Sequence, residues 1–282
     1  MNEEAPVRAA VLGLGIIGSR AWSRLTDAGW PVTCWNRTPK GFAGEAATPE
    51  SAVAGVAIIS LYLKDASALR EVIARLEPVL APGQIVLNHS TVDLATTKWL
   101  ARVCLVRECR FLDAPFTGSK VAAATGQLVY YLGGTPALAG ELESYLSVTS
   151  KSRLPCGPVG AATVVKLATN LISACTVQAM AEALAITTRH GVPADCLIHA
   201  LAHNVSASPL TAMKLPAMAA GNFETHFSLA NMSKDARYML ALAEDACLET
   251  PAIQAVSRRM AELCAAGLGE LDFSALAKPY LA

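Results

Sequence analysis

Ala9-Ala10-Val11-Leu12-Gly13-Leu14-Gly15-Ile16-Ile17-Gly18 is an apolar run that breaks into three closely spaced glycines and then turns amphipathic. Glycines at this spacing permit a tight turn, close approach of main chain to a pyrophosphate, and close packing of a helix on a strand. Val7 to Leu12 reads as a buried parallel strand, Ile16 to Ala28 as a helix ending at Gly29, and Val32 to Trp35 as a second strand. The helix presents unpaired N–H groups and the positive end of its dipole to an anion. In that setting the unit reads as a dinucleotide site; without the strand and helix the glycines would mark only a turn.

The end of the second strand bears on which dinucleotide. An acidic residue there accepts hydrogen bonds from a ribose 2′-hydroxyl and repels a 2′-phosphate. This chain has neutral Asn36, then Arg37 and Thr38. A guanidinium holds a phosphate through two parallel charge-assisted hydrogen bonds, and Thr38 adds a hydroxyl, so NADPH is expected over NADH. The plainer alternative is a solvated arginine in a surface loop.

Further along, Val56 to Leu61, Ala66 to Leu76, Ile85 to Leu87, Leu94 to Val103 and Phe111-Leu112 alternate short apolar runs with helical stretches, the rhythm of a doubly wound parallel sheet. Leu128 to Leu132 reads as another strand and Pro136 to Leu146 as a helix. The rhythm stops near Pro155-Cys156-Gly157-Pro158. Val159 to His190 then reads as one long alanine-rich helix capped at Gly191, apolar over much of its circumference and therefore expected to be buried. More helices are expected at Ala194 to Ala202, Pro209 to Ala219, Leu229 to Leu248 and Pro251 to Ala266. The expected fold is α/β: an NADP-binding Rossmann domain over 1–157, a long interdomain helix over 158–190, and an all-α substrate and oligomerisation domain over 191–282.

Composition excludes several function classes. The 282 residues are 53% hydrophobic and 16% charged with zero formal net charge, which leaves no basic surplus for a nucleic-acid partner. Met1-Asn2-Glu3-Glu4 is acidic and lacks a leader's positive end, and no apolar run reaches the ~18 residues of a membrane span. A cytoplasmic location and no membrane partner are expected. The eight cysteines form no C-x-x-C pair and no zinc spacing, so reduced thiols are expected and a Cys104–Cys109 disulfide is not. His199 and His203 lie four apart, but no Glu follows His199 and no third ligand is evident, so no metal is expected. Trp22, Trp30, Trp35 and Trp99 read as packing residues.

Lys166 and Asn170 share one face of the long helix among Val164, Val165, Leu167, Ala168, Leu171 and Ile172. A buried lysine is costly unless it serves a site, and desolvation favours a neutral amine suited to proton transfer. By residue type alone it could equally snorkel outward or pair with a distant carboxylate. Phe111 to Lys120 leaves a strand through a small hydroxyl-bearing turn able to hold a carboxylate, although the residues by themselves favour an ordinary loop. Lys234-Asp235 by itself reads as an exposed helical charge pair.

Taken in order, Gly13-Leu14-Gly15-Ile16-Ile17-Gly18, the Asp113 to Lys120 segment, Gly160 with Lys166 and Asn170, and Lys234-Asp235 resemble the β-hydroxyacid dehydrogenases, and most closely their glyoxylate and succinic semialdehyde reductase branch. The likeness extends to Met213-Lys214-Leu215-Pro216, Phe227-Ser228-Leu229 and Leu268 to Ser274, and so covers nearly the whole chain. It implies that Lys166 is the catalytic lysine, giving a proton to the carbonyl oxygen as hydride reaches carbon, and that Asn170 orients substrate or lysine. It further implies that Thr117, Gly118 and Ser119 hold the substrate carboxylate, with Thr117 at the family's usual serine, and that Phe227 and Asp235 close the substrate pocket. The cofactor would lie along Gly13, Gly15, Ile16, Ile17, Gly18, Asn36, Arg37, Thr38, Leu61, Tyr62, Leu63, Thr91 and Lys234, with Ser90-Thr91 next to the nicotinamide.

Some positions depart from the family. Ile17 replaces a methionine, Arg24 an asparagine, Ala162 a second glycine, and Val164 a lysine of the nearest branch, while Val121-Ala122-Ala123-Ala124 is less charged than usual. These changes leave the chemistry alone and bear on substrate identity. The expectation is an NADPH-dependent reductase of small aldehyde acids, assembled as a homodimer or homotetramer. An imine reductase of the same architecture and a catalytically silent NADP-binding scaffold are the alternatives, and Lys166 argues against both.

Overall fold

The computed structural model describes residues 7–281, so the acidic opening Met1 to Glu4 lies outside the described residues. The chain forms two compact units, one ending at Lys166 and the other beginning at Leu167.

In the first unit, short apolar runs become β1 (Ala9–Leu12), β2 (Val32–Trp35), β3 (Ile58–Leu61), β4 (Ile85–Asn88) and β5 (Arg110–Asp113), parallel in the spatial order β2-β1-β3-β4-β5. β1, β3 and β4 are buried at every position, which is why their residues are apolar on both faces apart from Ser60 and Asn88 instead of alternating. The crossovers are α1 (Gly18–Asp27), α2 (Pro49–Val53), α3 (Ala66–Leu76) and α4 (Leu94–Val106). Asp65 and Asp93 cap α3 and α4 by accepting from Ala68 N and Thr96 N. One face of the sheet packs Leu12, Ile59, Leu61, Leu69, Ile73 and Leu100, the other Val11, Leu25, Leu87, Leu112, Leu128 and Tyr130.

The sheet is parallel for most of its width but not throughout. β6 (Phe116–Thr117) runs antiparallel to β7 (Leu128–Gly133), β7 meets β5 antiparallel at Asp113–Gly133, and β8 (Ser150–Gly157) runs parallel to β7. β5 and β6 run in the same direction on either side of Ala114-Pro115, and the chain reverses between β6 and β7 through the short α5 (Lys120–Ala124), too brief to show a period in sequence. β8 escaped notice because it is a polar strand containing Pro155 and pairs only with β7 among the described strands, where alternation is not required. The helix expected over Pro136 to Leu146 is two short ones, α6 (Pro136–Glu141) and α7 (Glu143–Ser147).

α8 (Ala161–Arg189) is the long helix, followed by α9 (Ala194–Ala202), α10 (Pro209–Ala219), α11 (Leu229–Asp245) and α12 (Pro251–Leu263). In the second unit, Leu167, Val177, Ala181 and Leu184 of α8 share a core with Leu215, Met218, Met232, Met239, Ile253, Met260 and Phe273. α8 is buried on one side only: Ile172 and Ile186 are 64% and 62% exposed, which corrects the expectation that the helix is buried between layers. By length and composition α8 is also apolar enough to cross a membrane, which a count of unbroken apolar runs overlooked. It nevertheless buries Lys166, Asn170 and Gln178, side chains that suit a core helix of a folded protein. Beyond α12 the chain makes a π turn, with Gly267 at φ +86°, and a 3-10 stretch over Phe273–Tyr280 that sequence periodicity did not reveal.

Candidate cofactor and catalytic site

The glycine loop sits where β1 ends, beside the end of β3, the point at which the strand order reverses direction and α/β sheets take their ligands. Gly13 has φ +96°, and a Cβ there would lie 2.3 Å from the Tyr62 carbonyl oxygen. A Cβ at Gly18 would lie 1.9 Å from the carbonyl oxygen of Gly13. A Cβ at Gly15 would meet nothing within 4 Å. Gly13 and Gly18 are thus required by the protein's own turn, whereas Gly15 leaves room for something outside it. Behind them α1 starts with no side-chain cap at Ile17 and no acidic residue in its first turn. A dinucleotide pyrophosphate fits that arrangement of free amides and open backbone.

Asn36 serves the loop internally: its Oδ1 accepts from Leu14 N at 2.9 Å and its Nδ2 donates to Thr38 O at 2.7 Å, ordering the turn that carries Arg37. Arg37 is exposed, 3.9 Å from Glu71. Tyr62 and Leu63 lie against the glycine loop and Leu61 pairs with Leu12 just before it, and Ser90 ties the β4 end to them, accepting from Leu63 N at 2.8 Å and donating to Leu61 O at 3.2 Å. Arg24, the departure on the first helix, donates from Nε to Val148 O at 2.9 Å and so has a packing role.

Beneath this surface lies a polar network that sequence reasoning missed. His89 bonds Ala114 O through Nδ1 at 2.8 Å and Ser60 Oγ through Nε2 at 3.3 Å, and its ring stacks on Tyr62 at 4.4 Å. Ser60 in turn meets the Tyr145 hydroxyl at 3.0 Å. Burial pulls the imidazole down to about 4, against the small upward effect of the Ala114 carbonyl. A neutral ring with its proton on Nδ1 satisfies both bonds.

Asp113, wholly buried at the end of β5, was also missed as a functional group. It accepts from Thr163 N and Thr163 Oγ1, each at 2.9 Å. Burial pushes its carboxyl up to about 6, against the lowering by the Thr163 and Gly160 hydrogen bonds. The signal available in sequence was a charged residue at the end of a buried apolar strand. In the turn that follows, Thr117 is exposed, Gly118 has φ +141°, and Ser119 Oγ accepts from Ala122 N at 3.3 Å, leaving its own proton available for donation.

In the second unit the structure brings Asn170 and Asp235 together at 2.7 Å, with Lys234 Nζ 3.1 Å from Asp235. Lys234-Asp235 is therefore buried, not the exposed charge pair its residue types suggest. Phe227 donates its backbone N–H to Asp272 Oδ2 at 3.1 Å, and Asp272 pairs with buried Lys214 at 2.7 Å. Burial pushes the Asp272 carboxyl up, but the Lys214 ammonium and the backbone N–H groups of Ser274 and Phe227 outweigh it and hold the group below its ordinary range. Lys166 itself is 9% exposed on α8. His203 turns its Nδ1 onto His199 O at 2.9 Å.

Residues 8–163 match the family described as the NAD binding domain of 6-phosphogluconate dehydrogenase, and residues 160–280 the family described as NAD-binding of NADP-dependent 3-hydroxyisobutyrate dehydrogenase. The chain is 28% identical to glyoxylate/succinic semialdehyde reductase 2 (chloroplastic) of Arabidopsis thaliana, covering 98% of this chain and 80% of that protein. It is 29% identical to glyoxylate/succinic semialdehyde reductase 1 of the same plant, covering 94% and 95%. A solved structure of Mycobacterium tuberculosis 3-hydroxyisobutyrate dehydrogenase with L-serine shares the fold, with a TM-score of 0.90 at 22% identity over 99% of this chain and 100% of that one.

Proposed function

We propose, on the premise that this chain belongs to the β-hydroxyacid dehydrogenase family of NAD(P)-dependent oxidoreductases, that it reduces small aldehyde acids such as glyoxylate or succinic semialdehyde to hydroxy acids with NADPH. The observation that carries the reading is the burial of Lys166, 9% exposed, one turn before buried Asn170 on a predominantly apolar helix.

When bound, the cofactor supplies the hydride. Lys166 gives a proton to the carbonyl oxygen in reduction and takes it back in oxidation. Asn170, oriented by its bond to Asp235, aligns substrate or lysine. The Thr117 hydroxyl, the Gly118 N–H and the Ser119 proton receive the substrate carboxylate. The family resemblance would give Thr91 contact with cofactor and substrate, Phe227 and Asp235 a place bordering the substrate, and Lys234 one toward the cofactor. Arg37 and Thr38 select the 2′-phosphate, a choice supported by neutral Asn36 and by the weak hold of Glu71 on Arg37 at 3.9 Å. A homodimer or homotetramer belongs to the same reading and is supported by exposed Ile172 and Ile186.

The test is NADPH absorbance with a panel of aldehyde acids, keto acids and cyclic imines. Turnover is expected with aldehyde acids, and Lys166→Ala should abolish it while leaving NADPH binding nearly intact. Undiminished turnover in that variant removes the lysine from the reaction, and a preference for cyclic imines replaces the substrate class.

A further inference from the structure

We infer that Asp113 is a positioning residue for the reaction, acting through Thr163 on the first turns of the helix that presents Lys166. This rests on the reading of Lys166 as the proton donor.

The first N–H groups of a helix have no partner within it and need one when buried. α8 has no acidic residue in its first turn. The acceptor comes instead from another element: Asp113, at the end of β5, reaches over and takes both the backbone N–H and the hydroxyl of Thr163 at 2.9 Å. The single hydroxyl proton of Thr163 goes to that carboxylate, so its oxygen accepts from Thr97 Oγ1 on α4 at 2.9 Å. Thr163 is thereby gripped from two sides, by β5 and by α4.

The backbone is shaped for this approach. A Cβ at Gly133 of β7 would lie 3.2 Å from Asp113 Oδ2 and 3.2 Å from Ala162 N, so only glycine leaves the carboxylate and the helix start at these distances. Gly160, just before α8, holds φ +93°. Residues three apart on a helix lie on one face, so fixing Thr163 sets the rotation and height of Lys166 one turn later. Displacement of a proton donor by about 1 Å costs on the order of 100-fold in rate.

Variants Asp113→Asn, Thr163→Val and Thr163→Ser separate positioning from folding. Each is assayed for NADPH affinity, for kcat and KM with the best aldehyde acid, and for the rate at which an amine-selective acylating reagent labels Lys166, read by peptide mass spectrometry. Asp113→Asn and Thr163→Val are expected to lose about 10- to 100-fold in kcat with NADPH affinity held and labelling of Lys166 altered, and Thr163→Ser to restore both. Unchanged kcat and labelling in Asp113→Asn and Thr163→Val overturn the inference, as does loss in Thr163→Ser equal to that in Thr163→Val. If Asp113→Asn does not fold, the valine and serine pair decides. If the unaltered protein turns over no aldehyde acid while labelling of Lys166 still follows Thr163, the functional reading fails and the positioning stands.

Discussion

Asn170 Nδ2 lies 2.7 Å from Asp235 Oδ2, tying α8 to α11 between two side chains that are both buried. A hydrogen bond to a buried charged group contributes about 1.5–3 kcal/mol, and deleting either partner strands the other. Asn170→Ala and Asp235→Ala should each lower the urea midpoint, and the double variant should show a coupling energy of about 1–3 kcal/mol. Simple additivity would mean that the bond is absent in solution.

The glycines of the loop divide into two kinds. Gly18→Ala drives a methyl to 1.9 Å from the Gly13 carbonyl, so it should destabilise the first unit by several kcal/mol, on the order of an overpacked core site or more. Gly15→Ala meets nothing within 4 Å and should keep its melting temperature while losing NADPH affinity. Calorimetry with a cofactor titration decides, and equal damage to stability from both changes would contradict the division.

Arg37 stands exposed with a long ion pair to Glu71, a contact worth little in water. Arg37→Ala should therefore leave stability and NADH affinity alone while weakening NADPH by about 10- to 100-fold, the value of a hydrogen bond to a charged group. Fluorescence titrations with both cofactors give the answer, and equal losses would take the 2′-phosphate away from this residue.

His89 and Asp113 oppose each other in acid. The folded imidazole titrates at about 4 against an ordinary 6.5, so the folded state refuses a proton that the unfolded chain accepts; that stability is whole above 6.5 and is lost as pH falls through 4. The folded Asp113 carboxyl titrates at about 6 against 3.8, so the folded state keeps a proton that the unfolded chain releases; that stability is whole below 3.8 and is lost as pH rises through 6. Each amounts to about 3 kcal/mol at most. Relative to the unaltered protein, His89→Gln should show stability falling more steeply from pH 4 to 6, and Asp113→Asn stability rising more steeply over the same window. Urea midpoints against pH that run parallel in all three proteins would refute both assignments.

Much of the fold was legible because it obeys local periodicity. β2, α3, α9 and α10 fall where the apolar pattern places them, and the Gly29 and Gly191 turns after α1 and α8 carry the positive φ expected of a helix-ending glycine. The elements that escaped, β6, α5, β8 and the 3-10 stretch at Phe273–Tyr280, are short or polar, and their pairing is with residues remote in the chain. The site residues are assigned by motif order alone, while Asp113, His89, Lys214 and Asp272 have hydrogen-bond partners up to 58 residues away that no motif announces.

Sequence alone determined the βαβ start, the glycine loop and the neutral Asn36 with Arg37 behind it, because each depends on steric and hydrogen-bonding preferences of residues close along the chain. Only the tertiary structure decided which polar side chains are buried and by whom they are satisfied: Lys234-Asp235 reads as a surface pair until α8 and α11 pack, and Asp113 is an unremarked strand end until α8 begins against it. A buried charge draws its stability from neighbours in space, and those neighbours exist only once the chain has folded.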